Sequence, residues 1–137
     1  MDLASRRIVQ EYKDRRIPEL TAKVKGYCPE SNIEITVDWD TFEGEPAALE
    51  NFWALYELPS YALESVCKDA LGREAVAERI HRIVIKNVSS DDQINVVMED
   101  DTLAVAMRCT ESQSGQTGGT GTGARVSDIE RVLMANL

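Results

Sequence analysis

Residues 82–108, RIVIKNVSSDDQINVVMEDDTLAVAMR, decide the fold. Arg82–Val88 is rich in β-branched residues, which fit a pleated, half-buried surface. Ser89–Gln93 is a polar turn. Ile94–Met98 then resumes a strand pattern, with Ile94, Val96 and Met98 on one face. Glu99-Asp100-Asp101 makes a tight hairpin turn, and Thr102–Arg108 returns with Leu103, Val105 and Met107 on one face. Matched across the hairpin, these two sets give a continuous apolar surface for helices to cover.

Upstream, Ile33, Ile35, Val37 and Trp39 alternate with Glu34, Thr36 and Asp38, the mark of a strand with one buried and one polar face. The first 25 residues carry a helical stripe through Ile8, Val9, Tyr12, Leu20 and Val24. Pro18 should kink that helix or open a second one, and Gly26 is a plausible stop. Pro46 suits the first turn of a helix whose stripe is Leu49, Phe52, Trp53 and Tyr56. Core use is expected for both tryptophans. Leu58-Pro59 breaks this helix and Ser60 can cap the next, which carries Leu63, Val66, Cys67, Ala70 and Leu71 on one side. Arg73–Ile80 continues the helical period. Downstream, 110–124 reads as a flexible Gly/Thr/Ser-rich loop, because ordering it would cost entropy and bury little. Ser127 and Glu130 form a capping box for a last helix.

The order α-β-α-α-β-β-β-α describes a two-layer α+β domain. The expected sheet is antiparallel and four-stranded, an early strand joined to a three-strand meander, with helices packed mainly on one face. At 137 residues the chain has the size of one domain, and 43% hydrophobic residues suffice for a core. No repeat is visible. The N-terminus lacks the apolar core of a signal peptide and no apolar run is long enough to span a membrane, so a cytoplasmic location is expected. Cys28, Cys67 and Cys109 have no CxxC spacing. Free thiols in a reducing compartment are expected, with Cys28, beside Pro29, exposed.

The formal net charge is −9. Residues 1–25 carry seven cations against four acids, and the remainder eight against twenty. That balance argues against a nucleic-acid partner, since phosphates need a basic surface. The basic N-terminal helix is read as a solvated face rather than a membrane contact. Gly118–Gly123 lies ahead of a helix, where phosphate loops also lie, but no G-x-x-x-x-G-K-[ST] occurs. Asp38 and Asp40 at a strand end, with Glu43 and Glu45 behind, do not match an EF-hand, which needs other residues at the positions of Phe42 and Glu43. His81 is the single histidine, so no multi-histidine metal site exists, and no G-x-S-x-G motif accompanies it. No catalytic residue, cofactor or metal is therefore expected.

What remains is the acidic surface. The favoured reading is a non-catalytic protein-interaction module, of immunity or antitoxin type or a regulatory adaptor, with a basic protein as partner. Its field would come from Asp38, Asp40, Glu43, Glu45, Asp91, Asp92, Glu99, Asp100 and Asp101. A second surface is the sheet face opposite Ile83 and Ile85: Val84, Lys86, Val88, Val97, Ala104, Ala106 and Arg108. Exposed, it suits a partner or a homodimer; covered by the last helix, it is ordinary core. The competing reading is a small-ligand binder or enzyme with a pocket between helices and sheet, using Tyr27, Tyr56, Tyr61, His81 or Cys28. A third is anion binding at the Gly118–Gly123 stretch.

Overall fold

The computed structural model of the chain describes residues 1–110 and 125–137. The expected loop at 110–124 therefore lies outside the described residues, apart from Thr110. Leu3–Glu11 (α1) opens under Asp2, whose carboxylate accepts the Ser5 N–H at 2.8 Å. As expected, Pro18 stands in the first turn of a second helical segment, but the chain stays helical across the junction. A wide π turn, Tyr12–Arg16, runs directly into Ile17–Tyr27 (α2), with the Ile17 N–H bonded to the Tyr12 carbonyl. Proline lacks an N–H and its ring crowds the preceding turn, and a locally widened turn ahead of it keeps the helix continuous. Gly26, expected as the stop, lies inside the last turn of α2.

The sheet comprises Glu34–Asp38 (β1), Arg82–Asn87 (β2), Asn95–Glu99 (β3) and Thr102–Met107 (β4). Its order is β1-β2-β4-β3. The α+β class and the single four-stranded sheet are as expected, but the sheet is mixed and not antiparallel. β1 pairs parallel to β2, and β2 parallel to β4; only the β3–β4 hairpin is antiparallel. The physical reason lies in residues 88–94. This connection contains a 3₁₀ turn, Asp91–Gln93, and carries the chain past one strand position, so β3 lands at the edge. The hairpin at Asp100, whose φ is 56°, then folds β4 back into the gap beside β2.

One face of this sheet is core. Ile83, Ile85, Leu103 and Val105 are buried there, in register across β2 and β4. Against them lie Pro46–Asn51 (α3), Leu58–Val66 (α4), Ala70–Arg79 (α5) and Val126–Asn136 (α6), with α1 and α2, in one hydrophobic cluster. An aromatic knot fills one end: the Tyr12 ring lies 5.2 Å from Phe52 and 5.3 Å from Tyr56, and Phe42 lies 5.1 Å from Phe52. Trp39 packs on this knot, 5.6 Å from Tyr12. Trp53 does not, being 61% exposed. The α-helical period ends at Asn51 and a 3₁₀ turn, Phe52–Ala54, follows, so Leu49 and Trp53 no longer share a face.

Helix ends also differ from expectation. α4 starts at Leu58, and Ser60 sits in its first turn, its hydroxyl bonding the Glu57 carbonyl at 2.6 Å. The expected run from Leu63 to Leu71 breaks after Val66. Asp69 caps a new helix by accepting the Gly72 N–H at 2.8 Å, and Leu71 faces outward. α6 starts at Val126, and Asp128 reaches back to the Arg125 N–H at 3.1 Å. Glu130 is not part of a capping box with Ser127; it accepts the Ser65 hydroxyl of α4 at 2.6 Å.

Cys28 and Cys67 form a disulfide, with Cα atoms 5.7 Å apart. This overturns the expectation of three free thiols and of an exposed Cys28, because the ends of α2 and α4 meet inside the core. Cys109 is free and buried. Among the described residues no helix is long and apolar enough to cross a membrane.

Candidate functional site

The second face of the sheet follows from strand parity and register. Three rows cross it: Glu34, Arg82, Thr102 and Glu99; then Thr36, Val84, Ala104 and Val97; then Asp38, Lys86, Ala106 and Asn95. The middle row is small and nearly apolar. The outer rows carry acids on both edge strands and cations on β2. Arg82 and Glu34 pair along the lower row, Nε to Oε1 at 3.4 Å.

The alanines of β4 make the floor of a depression of about 420 Å³, walled by Val84 and Lys86 on one side and by Asn95, Val97 and Glu99 on the other. Asp38 and Gln93 close one end. The depression exists because β4, with its small outward side chains, lies between two strands with longer ones. α6, the sequence's candidate cover for this face, lies on the other: it packs on α4 and β3 and buries Ile129 and Leu133.

Of the residues assigned to this face from sequence, Val84, Lys86, Val97, Ala104 and Ala106 line the depression. Val88 and Arg108 lie just past their strands. The Val88 N–H bonds the Met107 carbonyl at 2.9 Å, and Arg108 Nη1 sits 2.8 Å from Asp91 Oδ1. Asp38, Asn95 and Gln93 were not in that set, because their place here depends on strand order.

The nine acids fall into two groups. Asp38, Asp40, Glu43, Glu45, Asp91 and Asp92 surround the end of the sheet where β1, β2 and β4 finish. Glu99, Asp100 and Asp101 stand at the opposite end. Several are already engaged: Glu43 with the N-terminal amine at 2.5 Å, Asp91 with Arg108, and Asp101 with His81 Nδ1 at 3.3 Å. That hydrogen bond from His81 holds the Asp101 carboxyl below its ordinary value. Asp40 belongs to a 3₁₀ turn, Trp39–Phe42, and not to the strand end expected for it. No three His, Cys, Asp or Glu among the described residues are placed to hold a metal ion.

The polar groups considered for a ligand pocket between helices and sheet do not converge. His81 is exposed at the start of β2. Tyr61 is exposed under the Lys23 ammonium, 4.9 Å from its ring centre. Tyr56 belongs to the aromatic knot, Tyr27 ends α2, and Cys28 is in the disulfide. The space between the layers is filled by Phe42, Phe52, Leu63, Ile83, Leu103 and other fully buried side chains. A cleft of about 480 Å³ between α2 and the start of β1 is bridged by Lys25, which donates to the Ser31 carbonyl at 2.6 Å.

Cys109 lies beneath the end of the sheet, its Sγ 3.5 Å from the Met107 carbonyl. Burial, with the Glu45 carboxylate nearby, pushes its thiol up to about 12. A thiol in that state is no nucleophile at neutral pH. The Gly118–Gly123 stretch lies outside the described residues. No family model matches the chain, and no curated protein or solved structure matches it either.

Proposed function

We propose that this protein is a non-catalytic interaction module that holds a basic partner protein on the outer face of its sheet. One observation carries the reading. Three of the four strands, β1, β2 and β4, run parallel, and wholly parallel sheets occur almost only with both faces covered. Here the helices take one face, and the other offers a small apolar strip in a depression of about 420 Å³. A partner would supply the missing layer.

The charges say which kind of partner suits it. Asp38 at one end of the depression and Glu99 at the other make no ion pair among the described residues. They would steer a basic surface inward and then flank its apolar anchor. A neutraliser of a basic toxin and a small regulatory adaptor both fit this description. The filled interface between helices and sheet gives no comparable support to a ligand pocket there. A cytoplasmic setting belongs to the same proposal, although the Cys28–Cys67 bridge is more at home in an oxidising compartment.

The test is quantitative capture of cross-linked partners by the wild type and by Val84→Glu and Ala104→Glu. A partner that is lost with both variants, and that weakens steeply with added salt, supports the proposal. Recovery that is indifferent to both variants and to salt refutes it.

A further inference from the structure

The most exposed apolar side chains lie far from the sheet's outer face, where α4 turns into α5. Leu71 is 77% exposed and Met134 70%, the highest values for large apolar side chains among the described residues. Both border one hollow of about 330 Å³, floored by Val66 and Ala75. Scattered apolar side chains on a surface need no explanation, but a knob beside a hollow does.

The elbow is held rigidly. Cys67, at the end of α4, is tied to Cys28 of the α2 end. Asp69 caps α5, and the backbone of Gly72 comes so close to Val66 that a Cβ there would stand 1.8 Å from the Val66 carbonyl oxygen. On the other wall, the bond from Ser65 to Glu130 fixes α6 against α4. Leu71 is thus presented from a fixed backbone and does not belong to a frayed end, so little conformational freedom would be lost if it were buried.

We propose that this elbow docks a second copy of the chain, Leu71 of each copy entering the hollow of the other about a two-fold axis. An isologous contact requires one patch to carry both halves of the fit, and this patch carries knob and hollow side by side. Its charges are also self-complementary. Lys68, which makes no ion pair among the described residues, stands on the rim beside Asp69 and Glu130, so each copy's ammonium can meet the other's carboxylates. The chain's own segment 111–124 has no apolar side chain larger than alanine to offer such a hollow. The inference is independent of the sheet-face proposal, because it uses a different surface and a different occupant.

Sedimentation equilibrium of the full chain over a concentration series tests it, in about 0.15 M salt, where charges more than about 8 Å apart are screened. A monomer–dimer equilibrium is expected. Leu71→Asp and Met134→Asp should each weaken it by about tenfold or more, since the contact would bury an unpaired carboxylate. Both side chains are exposed in the monomer, so melting temperatures at concentrations too low for dimerisation should hold, and Val84→Glu should leave the dimer unchanged. A chain that stays monomeric throughout, or a dimer indifferent to Leu71→Asp, or one abolished by Val84→Glu, overturns the proposal.

Discussion

Asn87 ties three segments together from inside the protein. Its Nδ2 donates to the Thr41 carbonyl and to Glu45 Oε2, both at 3.0 Å, and its Oδ1 accepts the Cys109 N–H at 3.0 Å. Both amide hydrogens and the amide oxygen have a partner, which is what makes a buried polar side chain tolerable. Asn87→Ala would strand the Cys109 N–H and the Thr41 carbonyl, at a cost of about 2–3 kcal/mol in urea unfolding. Cys109 should resist iodoacetamide in the native protein at pH 8 and react once the protein is unfolded, because burial keeps it a thiol. Asp128 sets an acid limit. The hydrogen bond from Arg131, with help from the Arg125 N–H, lowers its carboxyl below the unfolded value. The stabilisation is present above that unfolded value and disappears as pH falls through the folded one. Urea titrations between pH 5 and pH 2 should therefore show a shallower acid loss for Asp128→Asn than for the wild type below about pH 4.

Among the elements, the α4–α5 elbow has the sharpest sequence requirement. Gly72→Ala would drive a methyl into the Val66 carbonyl, and only backbone movement relieves that, so a loss of about 3 kcal/mol is expected. Gly26→Ala is the control. Nothing lies within 4 Å of a Cβ there, and alanine in the last turn of α2 should stabilise by about 0.5–1 kcal/mol, both changes being read by thermal unfolding. The contrast shows why helices were easier to find in the sequence than their ends. The stripes through Leu20 and Val24 and through Ile129 and Leu133 report burial directly. The caps depend on single residues that compete over short distances. Asp69 interrupts a stripe that otherwise runs on to Leu71, and Asp128 caps α6 from a position where Ser127 looked the better choice. The π turn before Pro18 leaves no trace in the period at all.

For the molecule as a whole, the disulfide is the strongest single cross-link. It joins residues 39 apart in sequence. Closing a loop of that length restricts the unfolded chain by about 4 kcal/mol in the entropic picture. Reduction should therefore lower the melting temperature by roughly 10 °C. A thiol count in denaturant should rise from one to three on reduction, and three thiols without reductant would deny the bond. The pairing was invisible in sequence because Cys28 and Cys67 meet only through the packing of α2 on α4. The same holds for the sheet. Alternation in Ile33–Trp39 and in 82–108 assigns each side chain to a face, so the rows through Val84, Ala104 and Val97 could be read in advance. Alternation does not say which strand lies beside which. The parallel pairings, and with them the places of Asp38, Gln93 and Asn95 around the depression, depend on contacts between distant segments.

The position of β4 has a consequence for synthesis. The last strand made is an inner one, wedged between β2 and β3, which have no other bond to each other. A nascent chain that has emerged only as far as Asp101 therefore holds β1 and β2 as one unit and β3 as an orphan. The edge of β2 that is to pair with β4 stays open to any passing strand until the hairpin closes. For this protein, exposure to misassembly lasts until residues 102–107 have themselves left the ribosome and paired with β2.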